Sequence, residues 1–159
     1  MDGMTSQRYP VQLDCVWIAS DRDEHVAAFV TAGVGPIPAL VLNYTAEPLL
    51  IENIEKAVLS LPKVSACRLL VPVPRPDSFI AMAERGLFVY DWSDVHRTTA
   101  SLIEAYEPMV FPLRPVSLGE LPESLRSHAA CVRYSAGTFN DGEYFKATKY
   151  FDCVSGLQR

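Results

Sequence analysis

Val11-Gln12-Leu13-Asp14-Cys15-Val16-Trp17-Ile18-Ala19-Ser20, the polar tetrad Asp21-Arg22-Asp23-Glu24, and His25-Val26-Ala27-Ala28-Phe29-Val30-Thr31 are the residues on which the fold turns. In the first run Val11, Leu13, Cys15, Trp17 and Ala19 recur every second residue, the period of a half-buried strand. The tetrad reads as a turn and the second run as a returning strand, so the segment predicts an N-terminal β-hairpin. Gly33-Val34-Gly35-Pro36-Ile37-Pro38 follows. Its glycines admit unusual backbone angles and its prolines lack ladder donors, which predicts a shaped loop.

Downstream the period changes. Leu50, Ile54, Ala57, Val58 and Leu61 recur at helical spacing within Ala46–Leu61, with Pro48 in the first turn and Pro62 at the end, predicting an amphipathic helix. Ser65–Val73 reads as a short apolar strand whose end, rich in proline, lies at an edge or in a loop. Asp77 is expected to cap a second helix running to Arg85, with Gly86 as its left-handed terminator. Leu87–Trp92 reads as another strand. Ser93–Ala105 is read as a loop or a short helix, and Glu107–Val116 as an extended stretch kept irregular by Pro108, Pro112 and Pro115. Leu121-Pro122-Glu123 opens a short helix ending near Ala130. Cys131–Phe139 and Glu143–Phe151, around Asn140-Asp141-Gly142, predict a C-terminal hairpin.

These elements predict an α+β fold, a mainly antiparallel sheet with N- and C-terminal hairpins and two to three helices packed on one face. The 159 residues, 49% of them hydrophobic, suit a single domain over 1–159 with flexible ends at 1–10 and 154–159. A net charge of −5 argues against a broadly basic nucleic-acid surface. Met1–Pro10 has no apolar run to serve as a signal peptide, and no stretch approaches the roughly 20 residues of a membrane span. Cys15, Cys67, Cys131 and Cys153 are scattered, as expected of reduced cysteines, so the expected location is the cytoplasm.

His25, His96 and His128 are isolated and no CxxC, HxH or HxxxH spacing occurs, so neither metal nor cofactor is expected. Gly33-Val34-Gly35 matches half of a phosphate-binding GxGxxG, but Pro38 replaces the last glycine and Pro36 removes a donor, which favours a rigid turn. No GxSxG elbow is present, and the cysteines sit in apolar contexts. The densest polar segment is Tyr90-Asp91-Trp92-Ser93-Asp94-Val95-His96-Arg97. It reads as a strand ending in a polar turn, as an acid/base pair of Asp94 and His96, or as a recognition surface, since Trp, Tyr and Arg dominate interface energetics. Residues 84–123 carry seven acidic and three basic side chains, a pattern that a solvated face also explains. Tyr134, Phe139, Tyr144, Phe145, Tyr150 and Phe151 read as cross-strand packing in the C-terminal hairpin.

Asp14–Asp21, His25–Gly33 and Arg85–Trp92 resemble segments of small cytosolic bacterial proteins, some of which look like immunity proteins encoded beside polymorphic or secreted toxins. The resemblance covers residues 1–120 and rests on a hairpin and a strand. It implies a non-catalytic protein that binds one cognate toxin and blocks its active site without a cofactor. The expectation is therefore a non-enzymatic toxin-binding protein whose partner comes from a neighbouring gene, with no role for nucleic acid or membrane and a homodimer left open. Expected contacts are Asp91, Trp92, Asp94, His96 and Arg97, with Asp21, Asp23 and Glu24 as rim charges. The alternative is a small-molecule-binding or small enzymatic domain with a pocket between sheet and helices, using His96 with Asp94 or a cysteine.

Overall fold

Asp21 closes the first turn of the chain. Its Oδ1 accepts the backbone N–H groups of Asp23 at 2.9 Å and His25 at 3.0 Å, the local bonding that makes aspartate a turn former, and Glu24 takes the left-handed conformation at φ 65°. The strands it joins, β1 (Val16–Asp21) and β2 (Val26–Val30), pair antiparallel from Val16↔Val30 to Ser20↔Val26. The expected N-terminal hairpin is present. Its strands are not half-buried, however: every residue of both is buried, because both faces of this part of the sheet are covered.

The computed structural model describes residues 9–10, 13–43, 50–73, 76–92 and 104–155. After the loop Thr31–Pro36 come β3 (Ile37–Pro38) and α1 (Ala39–Asn43), then a 3-10 turn at Ile51–Asn53 leading into α2 (Ile54–Leu59). Ile51, Ile54 and Val58 point inward at helical spacing, as the periodicity predicts; residues 46–49 of the expected helix lie outside the described residues. β4 is only Cys67–Leu69, and α3 spans Asp77–Glu84. Pro76 rather than Asp77 is the N-cap of α3, with no side-chain capping bond, while Gly86 does turn left-handed after it, at φ 95°. The Arg85 side chain donates to the carbonyls of Ala81, Leu59 and Leu61 at 2.9–3.1 Å, placing a cation at the C-terminal end of α2.

β5 (Phe88–Asp91) and β6 (Glu107–Pro112) pair antiparallel, with the register broken between Val89 and Tyr90. β6 corrects the expectation of irregular chain there. Pro108 pairs just beyond the register break and Pro112 ends the strand, positions that tolerate a residue without an N–H. α4 (Glu123–Cys131) follows Pro122 as anticipated, and β7 (Arg133–Tyr134), α5 (Ala147–Tyr150) and β8 (Cys153–Val154) complete the chain.

The sheet runs β4-β6-β5-β2-β1-β7. β4/β6, β6/β5 and β2/β1 are antiparallel, whereas β5/β2 and β1/β7 are parallel; β3 and β8 form a separate antiparallel pair. α2, α3 and α4 pack together against the strands, and Ser20 Oγ donates to the Ala129 carbonyl of α4 at 2.8 Å. Trp17, Phe29 and Tyr90 share the opposite face through the registers Trp17↔Phe29 and Phe29↔Tyr90. There Trp17 stacks on Phe29 with ring centroids 4.1 Å apart, and Phe29 stacks on Tyr90 at 4.9 Å.

The segment covering that aromatic face is where the C-terminal hairpin was expected, and no such hairpin forms. Asn140 and Asp141 fall in a 3-10 turn, Phe139–Asp141, closed by left-handed Gly142, and residues 147–150 are helical. Phe139 and Phe145 are instead laid on Phe29 and Tyr90, with centroids 5.1–6.2 Å apart. Asp21 Oδ2 accepts the Phe139 N–H at 2.8 Å. Docking two rings onto an apolar sheet removes far more surface from water than an isolated two-stranded ribbon would, and this outweighs the local Asp-Gly signal.

Candidate binding surface

The residues singled out from sequence do not form one surface patch. Asp21 is fully buried and accepts three backbone N–H groups, from Asp23, His25 and Phe139; it is a staple between the first turn and the C-terminal segment, not a rim charge. Asp91 and Trp92 are also buried, Trp92 lying edge-on to Tyr106 at 5.2 Å. The expected surface at this strand end is therefore interior as far as Trp92. Asp23 and Glu24 are exposed, and Glu24 stands 3.9 Å from Arg133. Asp94, His96 and Arg97 lie outside the described residues.

The Gly33–Pro36 loop resolves in favour of a rigid turn. The N–H groups of Val34 and Gly35 donate to the Thr31 carbonyl and that of Gly33 to the Thr31 hydroxyl, so these donors are spent within the loop rather than offered to an anion. A Cβ on Gly35 would come within 2.7 Å of the Tyr106 hydroxyl and 2.8 Å of Trp92 Cγ. Tyr106 in turn donates to the Pro36 carbonyl at 2.7 Å and accepts the Trp17 indole N–H at 3.2 Å. The glycine is a packing requirement.

The four cysteines are free. Burial pushes each thiol up: Cys15 to about 11 and Cys153 to about 12, with Cys67 and Cys131 raised as well. Such thiols keep their protons near neutrality, the opposite of what an activated nucleophile requires. Among the described residues no three His, Cys, Asp or Glu side chains converge as a metal site.

A concave surface lies instead where an outer strand of the sheet meets the C-terminal segment, a place the sequence did not flag. Arg68, Leu70, Val71, Glu107, Phe111, Asp141 and Tyr144 are among the residues lining an open cleft of about 350 Å³. A second cavity, of about 150 Å³, adjoins it through Asp141 and Tyr144 and continues to Tyr134, Thr138, Glu143, Phe145 and Tyr150 over the Tyr90 ring. The Tyr144 hydroxyl donates to Glu107 Oε2 at 3.1 Å, tying the loop after Gly142 to the start of β6. Asp141 Oδ1 accepts the Glu143 N–H at 2.8 Å and shapes that loop. Burial and a hydrogen bond with Tyr150 push the Tyr134 phenol up to about 12, so it stays neutral.

β4 borders this cleft and is one of the two outer strands of the sheet, β7 being the other. Leu113 N–H donates to the Ala66 carbonyl and Leu70 N–H to that of Met109. These bonds put Cys67 and Leu69 at the non-hydrogen-bonded positions opposite Pro112 and Val110, with their own backbone groups turned outward. Proline opposite Cys67 fits this register, since no ladder donor is called for there. Leu69 and Leu113 are exposed, at 40% and 66%, an apolar border to a sheet edge that no further strand among the described residues covers. Only the proline-rich end of this segment hinted at an edge.

No helix among the described residues is long and apolar enough to cross a membrane. Comparison with known proteins finds no matching family model, no matching curated protein and no matching solved structure.

Proposed function

We propose that this chain is a non-catalytic binding protein of immunity type, acting in the cytoplasm by binding a cognate bacterial protein toxin and occluding its active site. The observation that carries the reading is the edge of β4, unpaired among the described residues, beside an acidic, aromatic cleft. An unpaired edge offers main-chain donors and acceptors to an extended segment of a partner, and flanking pockets take alternate side chains. A strand added along β4 would set alternate side chains beside Arg68, on the face where Phe111 lines the cleft. The exposed carboxylates of Asp141 and Glu143 outnumber Arg68 among the described residues lining the two cavities, so the matching segment is basic, as a nuclease-like substrate groove would be. Asp23 and Glu24, exposed at the first turn, remain proposed rim charges; neither nucleic acid nor a membrane has a place in this scheme.

Co-expression with the protein of the adjacent gene is the test. Growth arrest by the neighbour, relieved by this chain and lost again with Cys67→Pro or Leu69→Lys, is the expected result. A neighbour that is harmless and forms no complex overturns the immunity reading. Rescue that survives both edge substitutions overturns the choice of surface.

A further inference from the structure

The smaller cavity is lined almost entirely by groups that attract a cation. Its walls are the rings of Tyr90, Tyr134, Tyr144, Phe145 and Tyr150, with Asp141 and Glu143 as its charged members and Thr138 as a further hydroxyl. Among the described residues, no lining residue is basic. Aromatic faces carry negative potential, and rings combined with carboxylates are how proteins hold organic ammonium groups. Tyr150 already takes part in one cation–π contact, with Lys149 Nζ over its ring 5.5 Å from the centroid. We propose that this cavity is a receptor for an alkylammonium group, such as the side-chain end of a lysine.

Size and geometry support that ligand class. About 150 Å³ accommodates an ammonium and the methylenes next to it, whereas drug-sized ligands need roughly 300 Å³ or more. Tyr134 and Tyr150 have ring centroids 4.7 Å apart, and Tyr134 meets Phe145 edge to face at 5.0 Å, so this wall is braced. Phe145 is held further by paired backbone bonds of 2.8 Å to Tyr106. The carboxylates belong to the loop fixed by the bond from the Glu143 N–H to Asp141 Oδ1, and both residues line the cavity. Arg133, Lys146 and Lys149, each exposed and each next in sequence to a lining residue, are not among the described residues that line the cavity. An anion would meet two carboxylates.

This assignment deepens the reading above by naming what a basic partner inserts, but its test uses the free chain, so the two fail separately. The full-length protein is titrated with n-butylammonium chloride and with 1-pentanol of nearly the same size, and the tyrosine ring resonances are followed by NMR. Saturable shifts at Tyr134, Tyr144 and Tyr150 with the amine, and none with the alcohol at equal concentration, are expected. Asp141→Asn combined with Glu143→Gln keeps the acceptor that shapes the loop and should weaken the amine by about tenfold, the scale of a lost charge-assisted contact. Tyr150→Leu, at a partly exposed ring, should weaken it several-fold. Equal binding of amine and alcohol, or undiminished amine binding by the double variant, overturns the proposal. N-acetyl-lysine-N′-methylamide separates the sources: binding equal to the free amine identifies a protein side chain, and binding of the free amine alone identifies a small metabolite.

Discussion

Gly35 and Asp21 each do work that their residue type makes possible and no neighbour could take over. Gly35→Ala would force its new methyl into Tyr106 and Trp92 at under 3 Å, and neither ring can retreat because both are buried. The expected cost is about 1–3 kcal/mol, that of overpacking a filled core, read as a lower urea midpoint at unchanged m-value. Asp21→Ala strands three backbone N–H groups and should cost about 3 kcal/mol. Its signature is loss of hydrogen-exchange protection at Phe139 as well as in the first turn. The thiols set a pH dependence. Cys15 and Cys153 are raised from 9.0 to about 11 and about 12 in the fold, so between pH 9 and 12 the folded state holds protons that the unfolded chain has released. Stability from this source is complete below pH 9 and falls as pH rises through that window. Urea midpoints measured across it should decline, and Cys153→Ala should flatten the decline.

Among the elements, the C-terminal segment carries the largest consequence. It covers the aromatic face of the sheet with Phe139 and Phe145, so Phe145→Ala should cost about 3–5 kcal/mol, measured by chemical unfolding. The same segment supplies Asp141, Glu143, Tyr144 and Tyr150 to the smaller cavity, which means that stability and recognition share one stretch of chain. The first hairpin was legible because β1 and β2 are adjacent in sequence and Asp21 bonds its own turn. The C-terminal hairpin was misread for a comparable reason: Asn140-Asp141-Gly142 is a valid local turn signal, and the force that overrides it comes from Phe29 and Tyr90, more than forty residues upstream. β6 was missed because its prolines look prohibitive until the register break and strand end that accommodate them are seen.

Across the whole molecule, the net charge of −5 and the acidic cleft would steer the proposed basic partner electrostatically. Association with the proposed toxin should slow by about tenfold between 0.05 and 0.5 M salt while dissociation changes little, a split that stopped-flow mixing resolves. The sequence by itself determined the class of the fold, the first hairpin, α4 and the left-handed end of α3 at Gly86, because each of these follows from period, capping or turn chemistry within a few residues. The tertiary structure decided which polar side chains reach the surface. Asp21, Asp91 and Trp92 carry the same chemistry as exposed residues and are buried only because β1, β2 and β5 are sheet-central strands. It also decided where a partner could bind, since the cleft joins Arg68, Glu107 and Asp141 from three distant parts of the chain, and no local pattern records which distant segments a sheet will bring together.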